Sequence, residues 1–375
     1  MTEATVVNLF FLVRVFLVGG ILFLLPRLIR KGLLFGVYVG EEFAEGNAAK
    51  RLGRSWNLGL TMVIALSLLV GLGISGAGRP VTGNLTGTVI LLLASAGLYV
   101  RTYYRARGLA PPIAARQADR ATAPITGSRP RGSTLAAFAL GICILVGLAT
   151  VFYAKVSYEA MPERVPNIFG QSGAEIGWSH KSFVAIMVMP SLSLLICPMA
   201  ALMALLTTRA KLSVRGGSGG GSAEVQIAFR ATMANLHSWI ALFVCAVLTL
   251  MSVQIIRIGL GEIRSLGTVI WWLAGAFFIF VIGNMIRIFT RYGQGGALIE
   301  SGSAGAPLTN GLADNTHWFW GVFYVDKEDP SILVEKRFGI GYTLNYGNRT
   351  AIAIVVSFLV LTLGLIAFVA IGANL

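Results

Sequence analysis

Charge is what this sequence has least of. Asp, Glu, Lys and Arg make up 12% of its 375 residues, against about 25% in soluble domains. With 55% hydrophobic residues and a mean hydropathy of +0.75, an ordinary soluble core is excluded. Cysteine is scarce too. Cys143, Cys197 and Cys245 each fall inside an apolar run and none is in CxxC spacing, so they read as small buried hydrophobes. Only three histidines occur, His180, His237 and His317, far apart in sequence and without HExxH. That argues against a zinc peptidase, and no metal or cofactor is expected. No acidic residue lies inside a long apolar run, which weighs against ion-coupled transport by the carboxylate route. Without a credible catalytic set, the expectation is a protein that is not an enzyme.

Long apolar runs are what the chain has instead. A span needs about 20 predominantly apolar residues. Eight candidates occur: Val6–Leu25, Leu58–Gly76, Gly87–Val100, Thr134–Ala154, Phe183–Thr207, Leu236–Ile256, Leu266–Ile286 and Ala351–Ala373. The third is the shortest, and is read as starting nearer Leu85 and running to Tyr103. The first lacks a basic leader and ends in Pro26-Arg27, so no cleavable signal peptide is expected. The predicted class is an all-α polytopic membrane protein of about eight helices, with a small aromatic hairpin-like segment before the last. The expected divisions are a four-helix half (1–154), an external loop (155–182), a three-helix region (183–288), a cytoplasmic aromatic segment (289–349) and a final helix (350–375).

Basic residues set the orientation. Segments 27–56, 101–133, 208–232 and 287–349 carry 23 of the 30 Lys and Arg, and the alternate segments carry six. The positive-inside rule then predicts a multi-pass plasma-membrane protein with both termini outside. The formal charge of +14 is explained by this alternation, so the bilayer is the partner and nucleic acid is not. In 104–133 the arginines have no interleaved aromatics for base stacking, and the segment reads as a linker. Segment 27–56 reads either as an interfacial amphipathic piece or as a solvated connector.

Several motifs are formal only. The G-x-S-x-G around Ser218 lies in a glycine-serine linker, without the strand and helix an elbow needs. Gly71, Gly73 and Gly76 end a span, with no preceding strand. Asp326, Glu328 and Asp329 lack the EF-hand pattern and read as a charged turn. Pro190 and Pro198 in the fifth span mark either a hinge or a kink that packs well. Intramembrane polar candidates are Arg14, Asn235, His237, Asn284 and Arg287. The last four sit at similar depth if their helices are antiparallel neighbours. They read either as a polar pocket or as helix-end hydrogen bonding.

Two stretches carry a resemblance. Pro162, Arg164, Pro166, Gly173, Gly177, Trp178 and Lys181, with Ile168 where His is common, resemble the motif of the bacterial domain of unknown function 1648 family, found in SdpI-like proteins. Lys31, Phe35-Gly36-Val37 and Glu41-Glu42 resemble the N-terminal region of that family. Trp318, Trp320, Gly321, Tyr324, Asp329, Pro330, Lys336, Arg337, Gly341 and Asn345 lie in a stretch similar to the domain of unknown function 5808. There a turn at Asp326–Pro330 is expected between β-like runs Gly321–Val325 and Ile332–Val334. The resemblance implies an integral membrane protein of toxin immunity or envelope-stress sensing. It implies a secreted toxin or peptide met outside and a regulator protein met inside. A small-solute transporter or channel-like carrier is the alternative, with a short echo of Phe35-Gly36-Val37 in Phe338-Gly339-Ile340.

Overall fold

A computed structural model describes residues 3–27, 32–110, 132–169, 175–211, 221–267, 269–292, 315–337 and 341–372. Among them are eight helices long and apolar enough to cross a membrane. This is the all-α polytopic architecture that the apolar runs predict. Small strand pairs fill the turns between spans. The chain divides into two compact units. The first holds Met1–Arg120, Ala306–Val325 and Lys336–Thr343, and the second holds Ala121–Gly305, Asp326–Glu335 and Leu344–Leu375.

In the first unit, α1 (Glu3–Leu24) precedes a strand pair, β1 (Leu33–Leu34) and β2 (Val37–Tyr38), and a short helix, α2 (Glu41–Glu45). Two long helices follow, α3 (Asn47–Gly76) and α4 (Pro80–Leu109). Proline starts α4, where its missing N–H costs nothing. The helix outruns the expected span at both ends; beyond Tyr103 it carries Arg105 and Arg107, which a hydropathy count does not see. Glycines bring the three spans together. A Cβ on Gly71 or Gly87 would come within 2.6 or 2.5 Å of the Phe11 ring, which is buried between them. Ser67 Oγ donates to the Gly87 carbonyl at 2.7 Å and Asn84 Nδ2 to that of Val7 at 2.8 Å. Small residues and interhelical hydrogen bonds are the usual adhesive where lipid removes the hydrophobic drive.

The second unit holds α5 (Ser133–Ala160), the strands β3 (Arg164–Phe169) and β4 (Glu175–His180), α6 (Phe183–Thr207), α7 (Gly221–Gly259), α8 (Val269–Tyr292) and α9 (Arg349–Gly372). Helices α5, α6 and α7 meet through Ala139, Cys143, Cys197, Ala201, Ala241 and Cys245, all buried. All three cysteines are free and gather in this one seam. Pro190 and Pro198 lie inside α6, which runs through both without interruption.

Four details differ from the expected layout or refine it. The first four spans do not form one half. The fourth, α5, packs on α6 and α7, so the units hold three and five spans. The central loop is an antiparallel strand pair, with Arg164 opposite His180 and Pro166 opposite Trp178. The run Gly321–Val325 does not face forward across a turn. Its strand β6 (Phe323–Tyr324) pairs backward with β5 (Trp318–Phe319), because a tight turn at Trp320-Gly321 intervenes. Strands β7 (Leu333–Glu335) and β8 (Tyr342–Leu344) follow. Within segment 27–56, Leu34, Phe35, Val37 and Val39 are buried in a packed cluster with Trp56 and Tyr103, so this part is not a solvated connector.

Candidate functional site

In each unit separately, described residues of the stretches 315–337 and 341–348 make a network of long-range side-chain hydrogen bonds. In the first unit two hairpins meet at their turns. Phe35 and Gly36 turn between β1 and β2 with φ of 47° and 81°, and Trp320 and Gly321 turn between β5 and β6 with φ of 52° and 67°. Positive φ at both central residues gives the turn whose twist suits a tight hairpin. A phenylalanine and a tryptophan bear it here, at about 1–2 kcal/mol each. The two glycines lie back to back: a Cβ on either would collide with the other's Cα.

Arg337 ties these turns. It is fully buried, and its Nη1 donates to the Gly36 carbonyl and to Asn315 Oδ1, both at 2.8 Å. Its guanidinium lies 5.0 Å from the centre of the buried Trp318 ring. Asn315 in turn brackets Tyr38, accepting from its N–H at 2.9 Å and donating to its carbonyl at 3.0 Å. One face of α4 holds the second hairpin. Tyr99 Oη donates to the Trp320 carbonyl at 2.7 Å, and Tyr103 Oη to that of Trp318 at 3.2 Å. Tyr324 is buried against Trp318, while Phe319, Trp320 and Phe323 stay exposed at the tip. Lys336 N–H donates to the Gly341 carbonyl, and its side chain is exposed.

In the second unit a buried asparagine organises the approach to α9. Asn345 Nδ2 donates to the carbonyls of Asp326 and Asp329, at 2.8 and 3.0 Å. Its Oδ1 accepts from the N–H groups of Asp326 and Gly347, at 3.0 and 2.9 Å. Gly347 packs so closely on the Asp326 backbone that any side chain would clash. Asn348 then caps α9, its Oδ1 accepting from Thr350 N–H at 2.9 Å, and its Nδ2 donates to the Pro330 carbonyl. The charged turn is locally satisfied: Asp326 Oδ1 accepts from Glu328 N–H, and Asp329 Oδ1 from Ser331 N–H. Asp329 Oδ2 pairs with Lys211 Nζ at 2.7 Å. Burial pushes the Asp329 carboxyl up, but Lys211 and the Ser331 hydrogen bonds outweigh it and hold the group below its ordinary value.

Residues 327–352 match a family of unknown function, DUF5808. No curated protein and no solved structure matches the chain. The match covers Asp329, Pro330, Lys336, Arg337, Gly341 and Asn345, and leaves Trp318, Trp320, Gly321 and Tyr324 just upstream of it. In physical terms, the DUF5808 segment contains the asparagine that plugs the α9 approach and the arginine that ties the hairpins.

Within the second unit, the β3–β4 hairpin lies at the start of α6, and the Lys211–Asp329 pair lies past the end of that helix. Val165 is buried with Met161, Ile186 and Met187 and roots the hairpin. Lys181 Nζ donates to the Met161 and Tyr158 carbonyls at 2.9 and 3.3 Å and lies over the Tyr158 ring. A cation at a helix C-terminus satisfies orphan carbonyls and opposes the dipole. Pro162 and Arg164 are exposed, and Trp178 is 55% exposed. Gly177 pairs with Ile168, and Gly173 lies outside the described residues.

The intramembrane candidates are dispersed among several elements. Arg14 is half-buried in α1. Asn235 on α7 turns its buried Oδ1 toward Gly132, ahead of α5. His237 Nδ1 is 3.1 Å from Thr207 Oγ1 of α6. Asn284 donates to the Phe280 carbonyl inside its own helix, and Arg287 is exposed. Sequence reasoning missed Asn315, Tyr99 and Tyr103. The four-residue tyrosine spacing on a cationic helix end was the available signal. The echo that folds together is Phe35-Gly36-Val37 with Trp320-Gly321-Val322, both aromatic-Gly-Val. Phe338-Gly339-Ile340 lies outside the described residues.

Proposed function

We propose that this chain is a non-enzymatic bacterial plasma-membrane protein of SdpI-like immunity or envelope-stress sensing. The observation that carries the reading is the β3–β4 hairpin. It is rooted by Val165 and Lys181, sits among the Lys/Arg-poor connections, and holds a large exposed Trp178 on a strand. A fixed, exposed tryptophan beside an exposed Arg164 has the composition of a recognition hot spot. By the positive-inside rule this hairpin faces outward, toward a secreted toxin or peptide. The β5–β6 hairpin, with Trp320 exposed at its tip, then faces the cytoplasm and is the surface offered to a regulator protein.

The test is survival of a deletion strain, with and without the restored gene, under a panel of secreted peptide toxins and envelope stresses. Trp178→Ala, expressed at the wild-type level, is predicted to lose protection. Trp320→Ala is predicted to keep the external response and alter signalling inward. No protection by the wild-type protein against any agent would sink the reading.

A further inference from the structure

The first unit contains a cavity of about 390 Å³, open to the surface, between the start of α3 and the end of α4. Ala48, Arg51, Leu52, Ser55, Arg105 and Leu109 line it. Its polar edge is cationic, with Arg51 and Arg105 exposed at the rim and Arg105 Nη1 3.4 Å from Ser55 Oγ. Lys50 and Arg54 on α3 and Arg101 and Arg107 on α4 reinforce the charge, against Glu42 and Glu45 of α2. Its remaining walls, Ala48, Leu52 and Leu109, are apolar.

The depth of the cavity follows from an independent contact. Tyr104 precedes Arg105, and its Oη accepts from Trp320 Nε1 at 3.3 Å. Tyr104, Trp320 and Phe319 are all exposed there. Exposed tryptophan and tyrosine at the end of a span mark the headgroup level of the bilayer. Deeper along α3, Ser55, Leu58 and Met62 form one stripe, with Leu58 and Met62 61% and 62% exposed. A polar cationic mouth at headgroup depth, continuous with a lipid-facing apolar stripe, matches a glycerophospholipid with its phosphate at the mouth.

We propose that this cavity binds the phosphate of an anionic phospholipid, with Arg51, Arg105 and Ser55 as donors and the acyl chains along α3. Basic pockets between membrane helices take anionic headgroups by this chemistry, and guanidinium forks suit phosphate oxygens. The site is independent of the immunity reading.

Native mass spectrometry of the full chain in detergent tests it, comparing phosphatidylglycerol with phosphatidylcholine and with inorganic phosphate alone. Retention of phosphatidylglycerol is expected to exceed that of phosphatidylcholine by on the order of 10-fold. The double variant Arg51→Gln, Arg105→Gln is expected to erase that preference, and Arg79→Gln, at the other end of α4, to leave it intact. Leu109→Trp fills the cavity without changing charge and is expected to erase it as well, which separates loss of the site from loss of fold. A preference that survives both cavity variants overturns the proposal. So does binding of inorganic phosphate with no preference among the lipids.

Discussion

Arg337 is the residue on which the most depends. A buried cation needs compensation; here Nη1 engages two carbonyl-type oxygens and the guanidinium lies against an indole face. Arg337→Gln strands the Gly36 carbonyl and Asn315 together. We expect a loss of about 2 kcal/mol or more, read as a lower midpoint of thermal unfolding in detergent, with Arg337→Lys recovering little because it lacks the fork. Asp329 gives a pH signature. Its carboxyl is held below the ordinary value, so its contribution is fully present above about pH 4. That contribution is lost as pH falls through the depressed folded value. Asp329→Asn should therefore be less stable than wild type at pH 7, and the gap should close as the pH is lowered toward 3. A constant gap would mean that the Lys211 pair contributes nothing. The motif made Arg337 visible in the sequence. A resemblance also marked Gly36, but no local pattern links it to Arg337, some 300 positions away.

At the scale of elements, the spans and the presence of an aromatic hairpin-like segment before the last one were legible, and the register and turns of the short hairpins were not. An apolar run of 20 residues has few alternatives to a membrane helix. The two-residue strands of the β1–β2 and β5–β6 hairpins leave almost no periodicity to read, and their turns put Phe35 and Trp320 where glycine or asparagine would be expected. The same geometry gives a prediction. Gly36→Ala or Gly321→Ala meets both positive φ and the facing glycine. Each should destabilise the hairpin pair by more than the roughly 1 kcal/mol of an exposed glycine site. Limited proteolysis around residues 318–324 would read this as faster cleavage. Ala at Gly73 or Gly364, which face open space at ordinary helical φ, should be silent.

At the scale of the molecule, counting spans gave eight but not their grouping. Hydropathy reports that α5 enters the membrane. It does not report that Cys143 and Ala139 fit the small-residue seam of α6 and α7. The functional reading rests on one larger claim, that the Trp178 hairpin and the Asp326–Asp329 turn lie on opposite sides of the bilayer. The measurement that tests it is cysteine accessibility in intact cells. The three native thiols are buried between helices and give little background. Trp178→Cys should react with a membrane-impermeant maleimide before lysis, and Lys327→Cys only after it. Labelling of both positions from the same side would contradict the eight-span alternation and the function built on it.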